Sequence, residues 1–472
     1  MAIDIAAFDR IFNPRCVAVV GDKRQSGYMW LKAMSTFQGS LYSVQIDERE
    51  IPGIEALGVK NYTSLTDIPE PVDYVVVAVP RKVAPRVLED CIAKQVGGAT
   101  FYTSGFAETA TEEGISLQRA LTERAREANF MLVGPNCMGL FVPKIGLRFS
   151  TEQYAGEGGQ VAFIGQSGTH SMYFSLLGAV HRVKISKMVS FGNAIVLDSP
   201  DYLEYLGQDA ETRVIGMYLE GFKDGRRFFE TLRRVAHQKP VIIWKGGQTQ
   251  DGARAVASHT ASLATEGSVW DSLVGQCGAI AVDGLDEMVD VIKALLYIKP
   301  STGTRMGIMA LTGGQSVVAA DAYAKAGLDV PLLTERSYEE LASFFSVIGA
   351  SYRNPFDVSS NSPSLDMLAR LLEILERDEN VDAAMAELST SMLGRREALD
   401  EGYTSGLLDL LARHCKESSK PFYTTVIPVD QEVEALRLRD TLMEKGIPSF
   451  PSFSRSANAY KKAARYHQFR KG

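Results

Sequence analysis

The hydrophobic pattern alternates short continuous apolar runs with longer segments of helical period. Cys16-Val17-Ala18-Val19-Val20 predicts a strand. A helical segment follows over 28–37, and a second strand over 41–44. The run 74–79 is a third strand, stopped by Pro80. Val83, Val87, Leu88, Cys91 and Ile92 then share one helical face. A strand over 99–103, a helix reaching 128 and a strand over 131–133 complete the series. Continuous apolar strands separated by helices predict a parallel, doubly wound sheet, whose ligands lie at the carboxyl ends of the strands. Four loops leave such ends: residues 21–27, Val79-Pro80-Arg81, Ser104-Gly105-Phe106 and Gly134-Pro135-Asn136-Cys137.

A polar, glycine-bearing bridge over 152–160 opens a second alternating unit. Val161-Ala162-Phe163-Ile164 leads into Gly165-Gln166-Ser167-Gly168-Thr169 and a helical run. Strand, small turn and helix make an anion site, because the first amides of the helix and its dipole face the bound group. Ser167 and Thr169 add hydroxyls; simple capping by Ser167 is the alternative. The strand 187–190 ends in Phe191-Gly192-Asn193, the strand 214–219 in Glu220-Gly221, and the strand 241–245 in a polar turn over 246–252. A third unit repeats the order from about residue 305: strand 306–311, turn Thr312-Gly313-Gly314-Gln315-Ser316, helix 317–326. Asn354-Pro355-Phe356-Asp357 reads as a turn, 382–387 and 421–426 as strands, and the basic tail 455–472 as a packed or fraying helix. The expected division is 1–150, 155–302 and 303–460.

Composition narrows the function without naming it. A chain of 472 residues with 45% hydrophobic and 23% charged residues is that of a multi-domain globular protein. The 18-residue apolar run of a membrane span and a signal-peptide pattern are both missing from this sequence. Five scattered cysteines without metal-ligand spacing fit reduced thiols in a cytoplasm. A net charge of −7 with interleaved signs argues against a nucleic-acid surface.

Candidate chemistry centres on His259, expected in a small-residue loop, Ser258-His259-Thr260-Ala261-Ser262. An unencumbered imidazole there can take and hold a phosphoryl group; a surface histidine without a role is the alternative. Ser167, Gly168, Thr169, Asn193, Glu220 and His259 all fall at or after strand carboxyl ends of one sheet, so they can converge, with a carboxylate to orient the ring and donors for phosphoryl oxygens. In the first unit, Gly21 and Gly27 make only part of a dinucleotide fingerprint. Lys23, Arg24 and Arg81 can meet phosphates or stand as solvated charges.

Taken together, these pieces resemble the α subunit of the nucleoside-diphosphate-forming acyl-CoA synthetases, the group of the ADP-forming acetyl-CoA synthetases and, more distantly, succinyl-CoA synthetase. The matching strings are Val-Ala-Val-Val-Gly at 17–21, Thr-Ser-Gly-Phe-Ala-Glu at 103–108, Gly-Pro-Asn-Cys-Met-Gly at 134–139, Gln-Ser-Gly at 166–168, Phe-Gly-Asn at 191–193, Tyr-Leu-Glu-Gly at 218–221, Ser-His-Thr at 258–260 and Asn-Pro-Phe-Asp at 354–357. The resemblance implies a Rossmann-type CoA-binding domain followed by two flavodoxin-like ligase domains. It implies CoA across Gly21, Val79, Pro80, Ser104, Gly105, Phe106, Asn136 and Cys137. His259 would be the phosphohistidine, Glu220 its orienting carboxylate, and Ser167-Gly168 the opening of the phosphate-binding helix, with Thr169, Gly192 and Asn193 beside it. No resident metal is implied.

The sequence departs from the family pattern in three places. Ala261 and Thr265 stand where glycines are usual, and Asp47-Glu48-Arg49-Glu50 replaces Asn-Pro-Lys. Within these residues nothing resembles an ATP-grasp domain, so ATP and magnesium are expected on a separate β subunit in a hetero-oligomer, or a homodimer is expected. The activity implied is carboxylate, CoA and ATP to acyl-CoA, ADP and phosphate. A non-catalytic CoA- or acyl-CoA-binding regulator on the same scaffold is the alternative.

Overall fold

The computed structural model describes residues 3–260, 267–359 and 364–471, and only the backbone at 257–260 and 267–269. Two compact units, Met1–Leu285 and Asp286–Gly472, divide the chain. The first holds two six-stranded sheets and the second a five-stranded one.

The first sheet comprises β1 (Cys16–Val20), β2 (Ser40–Val44), β3 (Lys60–Tyr62), β4 (Tyr74–Val77), β5 (Gly98–Phe101) and β6 (Leu132–Val133), in the order β3-β2-β1-β4-β5-β6. All its pairings are parallel. This is the order of dinucleotide-binding sheets, whose strand order reverses between the first and fourth strands. Burial explains the apolar runs: every residue of β1, β4 and β5 is buried, because helices cover both faces. Val77, Phe101 and Leu132 pack there with Leu88, Cys91, Leu121 and Ala125 of the helices Ala84–Ala93 and Glu112–Glu127.

The second sheet adds β7 (Gly139–Phe141), β8 (Val161–Gly165), β9 (Ile185–Ser190), β10 (Val214–Leu219), β11 (Val241–Lys245) and β12 (Ile280–Val282), ordered β12-β11-β10-β8-β9-β7. Only β7 runs antiparallel. The third sheet has β13 (Met306–Ala310), β14 (Phe356–Asp357), β15 (Ala383–Leu388), β16 (Phe422–Val426) and β17 (Ser449–Phe450), ordered β14-β13-β15-β16-β17. Without β7, the second and third sheets have one topology, the flavodoxin-like one. Each opens with a strand, a capped turn and a 13-residue helix: Gly168–Val180 capped by Ser167, and Gly313–Lys325 capped by Thr312.

Three sequence expectations change, and for the tail the packed alternative holds. The segment 28–37 is a short helix, Met29–Ala33, with a 3₁₀ turn Met34–Thr36. Helix Gly313–Lys325 begins in the glycine turn rather than after it. Phe356–Asp357 pairs as a strand instead of only turning. The tail is the packed helix Phe453–Lys471, burying Ala457, Tyr460 and Ala464. All five cysteines are free thiols. Among the described residues, no helix is long and apolar enough to cross a membrane.

Candidate active site

The first loop is built by a buried aspartate that the sequence did not advertise. Asp22 accepts from the Trp30 and Leu31 amides at 2.9 and 3.0 Å, and from the Ser26 hydroxyl at 2.8 Å. Its side chain therefore caps the helix Met29–Ala33 and folds the loop under it. Gly21 has φ +86°, and a Cβ there would lie 2.5 Å from Val79 Cγ1. Only glycine lets the ends of β1 and β4 approach this closely, at the point where the sheet order reverses. Lys23 and Arg24 are exposed on this loop.

Two of the acids at 47–50, Asp47 and Glu50, do not face the loop as free charges. Asp47 pairs with Arg49, at 2.6 Å, which pulls its carboxyl down to about 2. Glu50 accepts from the Arg24 amide and the Tyr28 hydroxyl, both at 2.8 Å, and so braces the loop.

Arg81 is committed within the protein. Its guanidinium donates to Gly105 O at 2.7 Å and pairs with Glu113 at 2.5 Å. Pro80 follows Val79, whose carbonyl accepts from Thr103 Oγ1 at 2.7 Å. Ser104 is exposed beside Gly105, and Phe106 is buried. The Gly105 and Phe106 amides donate to Glu108 Oε1 at 2.6 and 3.1 Å, while Glu108 Oε2 accepts from Asn193 Nδ2 at 2.6 Å. Glu108 thus ties the first sheet's loop to the second sheet's.

Residues 134–139 join the two sheets. Asn193 N donates to Pro135 O at 3.0 Å and Ile195 N to Gly134 O at 3.1 Å. Gly192 has φ +52°, and a Cβ there would lie 2.3 Å from both Pro135 O and Asn136 O. Asn136 meets Asn193 at 3.5 Å. Cys137 is buried, with its thiol pushed well up by desolvation, so it packs rather than reacts. Met138 lies against Gly168, where a Cβ would be 2.9 Å from Met138 Cγ, and its amide donates to Ser190 Oγ at 3.2 Å.

The helix Gly168–Val180 starts at this junction. Ser167 Oγ accepts from His170 N at 3.4 Å, while the amides of Gly168 and exposed Thr169 belong to the first turn, which has no intrahelical acceptor. The capping and anion-binding readings are therefore compatible: one hydroxyl caps the third amide and the first two point outward.

Glu220, 5% exposed, stands just past β10. The Tyr218 hydroxyl donates to Glu220 Oε1 at 3.3 Å. Gln166 Oε1 accepts from the Glu220 and Gly221 amides at 2.8 and 3.0 Å, clamping the ends of β8 and β10 together. Buried Lys245 donates to Glu220 O at 2.8 Å and Gly246 O at 2.5 Å; burial lowers its pKa and Glu220 opposes that. His170 packs against Tyr218 and Trp244 with ring centroids 4.3 and 4.5 Å away. Burial lowers its pKa, again opposed by Glu220. Gln166, Lys245 and His170 were not among the residues the sequence singled out as site groups.

His259 sits in the last turn of the helix Gln250–Thr260, not in the expected loop. Its side chain, together with Ala261 and Thr265, lies outside the described residues. The helix itself packs against the turn Ala107–Thr109, next to Glu108. His259 is thereby carried by an element seated on the first sheet's loops.

Comparison with known proteins adds an independent line. The CoA binding domain profile matches residues 15–143, and that of the succinyl-CoA ligase like flavodoxin domain matches 158–295. The chain is 36% identical to acetate–CoA ligase (ADP-forming) I of Archaeoglobus fulgidus across 81% of its length, but spans only 55% of that longer protein. It is also 36% identical to the α subunit of acetate–CoA ligase (ADP-forming) II of Pyrococcus furiosus, covering 80% of this chain and 81% of that one. The acetyl-coenzyme A synthetase 1 of Ca. Korarchaeum cryptofilum, solved with phosphate and ADP, superposes with a TM-score of 0.83 at 28% identity, over 98% of this chain and 97% of that one.

Proposed function

Because the chain belongs to the ADP-forming acetate–CoA ligase family, we propose that it is the CoA-binding, phosphohistidine-bearing α part of such a ligase. The reaction is carboxylate, CoA and ATP to acyl-CoA, ADP and phosphate. A phosphoryl group on His259 passes to the carboxylate, giving an acyl phosphate; the CoA thiol then displaces phosphate from the acyl carbon. One observation supports this reading above the others. Met138, in the loop that follows β6, lies directly against Gly168, so the carboxyl edge of the first sheet, along which CoA would lie, adjoins the helix start that would hold the phosphoryl group.

In this reading Ser167, Gly168 and Thr169 hold the phosphoryl oxygens and Glu220 orients the imidazole. Gln166 and Lys245 position Glu220 through its backbone. Lys23 and Arg24 supply charge for CoA phosphates, while Arg81 holds Gly105 in place. ATP and magnesium are bound by an ATP-grasp β subunit, and the assembly is a cytoplasmic hetero-oligomer.

Labelling tests it. With the ATP-grasp partner present, the γ-phosphoryl of ATP should appear on this chain in an acid-labile, base-stable form. His259→Ala should abolish the label and leave CoA binding intact. A label that persists in His259→Ala would remove His259 from the reaction. CoA should bind with a salt-dependent affinity well above that of NAD.

A further inference from the structure

The turn that leaves β2 lies beside the loop that leaves β1, and hydrogen bonds fix it there. Gly21 N donates to Val44 O at 3.0 Å, and Gln45 Nε2 donates to Asp22 O at 3.0 Å. Gln45 Oε1 accepts from the Ile46 and Asp47 amides at 2.9 and 3.1 Å, which sets the path of the chain as it leaves the strand. Glu50 closes the turn onto the Arg24 amide and the Tyr28 hydroxyl. In sheets of this strand order, the diphosphate of a bound dinucleotide lies at the first loop and its adenosine ribose just past the second strand. A carboxylate at that place accepts from free ribose hydroxyls, whereas a guanidinium there receives a ribose phosphate.

Three carboxylates, those of Asp47, Glu48 and Glu50, stand in this turn against the one guanidinium of Arg49. Asp47 holds that guanidinium on two nitrogens, Nε at 2.9 Å and Nη2 at 2.6 Å. Glu48 is exposed. The helix that follows, Ile51–Glu55, is five residues long, opens on Glu50 and loses one amide to Pro52, so its start does not compensate. A ribose phosphate placed here meets net negative charge, while a ribose with free hydroxyls meets acceptors.

We propose that the first domain recognises its thiol ligand through an unphosphorylated adenosine ribose, so that dephospho-CoA binds at least as tightly as CoA. The two ligands differ by a single phosphate on that ribose. The proposal takes the pantetheine thiol from the ligase reading above, and the ribose preference from the turn at 45–50 alone. Lys23 and Arg24 keep their place at the diphosphate, which both ligands share. Asp47 and Glu48 set the preference and touch none of the reacting atoms.

Calorimetric titration of the whole chain with CoA, dephospho-CoA and NAD tests the assignment without ATP or a partner. At low ionic strength dephospho-CoA should bind as tightly as CoA or up to about tenfold tighter, and the two affinities should converge as salt screens the turn. Glu48→Lys, at an exposed position, should tighten CoA by about fivefold or more and leave dephospho-CoA within about twofold. Asp47→Asn, which releases Arg49, should shift the ratio the same way by a smaller factor. The assignment is overturned if CoA is the tighter ligand of the parent chain, or if both variants leave the ratio of the two affinities unmoved; the CoA reading stands in either case. NAD has the same unphosphorylated adenosine without the pantetheine arm and should bind more weakly than dephospho-CoA. NAD binding as tightly as dephospho-CoA would instead sink the CoA reading and keep the ribose preference.

Discussion

Two buried carboxyls, Glu220 and Glu387, arrive at strand ends in the same way but in different company. Glu220 meets a tyrosine hydroxyl and lies beside the Lys245 cation, whereas Glu387 has burial and one backbone amide. The Glu387 carboxyl consequently moves from an ordinary 4.5 to about 7. Between those values the folded protein holds a proton that the unfolded chain has released. Stability therefore falls as pH rises from about 4.5 to about 7 and is flat above, by roughly 3 kcal/mol at most. Glu387→Gln keeps the acceptor for Leu311 and removes the titration. Its melting temperature should exceed the parent's at pH 8 and converge with it near pH 4.5; a gap that is constant with pH would show that Glu387 does not titrate in this window. Glu220 and Ser167 were readable from sequence because a strand end followed by a small or acidic residue is a local signal. Gln166 and Lys245 were not, because their roles depend on register: Gly165 pairs with Tyr218, and Leu219 with Lys245. That pairing sets which side chain reaches across, and no single segment encodes it.

Among the elements, the long parallel strands were legible because burial on both faces leaves an uninterrupted apolar run. The two-residue strands Phe356–Asp357 and Ser449–Phe450 have no period to read. The helix Gln250–Thr260 was misread as a loop around His259, since small polar residues carry a turn signal that tertiary packing overrode. The junction of the two sheets in the first unit makes a prediction at this scale. Gly192 and Gly58 both have positive φ, but a Cβ on Gly58 meets nothing within 4 Å, whereas one on Gly192 runs into the Pro135 and Asn136 carbonyls. Gly58→Ala should cost about 1–2 kcal/mol of stability through backbone strain alone and leave CoA affinity unchanged. Gly192→Ala adds overpacking of about 1–3 kcal/mol and pushes residues 134–139 away from Gly168. Chemical denaturation should rank the two in that order, and only Gly192→Ala should weaken CoA binding. Equal losses of stability would mean that the junction yields without cost.

At the scale of the whole molecule, the family resemblance was readable because eight short strings fall in one order, although any one of them is weak. The resemblance also implied two flavodoxin-like domains, and the second and third sheets do share that strand order once β7 is set aside. That repetition bears on how phosphate enters. Both sheets offer a capped helix start, Ser167-Gly168 and Thr312-Gly313, as an anion site. Neither turn has the glycine-rich loop with lysine that cradles the β- and γ-phosphates of a nucleotide beside a metal ion. A helix start stabilises a phosphoryl group already transferred; it does not hold ATP in line for transfer. On the ligase reading, nucleotide chemistry therefore falls to an ATP-grasp domain outside these 472 residues, and His259 must be reached by it. The polypeptide by itself should release no ADP with acetate, branched or aromatic acids in the presence of CoA and ATP. Adding the ATP-grasp protein should restore CoA-dependent release, measured in a coupled assay, with His259→Ala inactive in the same mixture. CoA-dependent ADP release from the isolated chain would place a nucleotide site within it, and the division of labour between two proteins would fall.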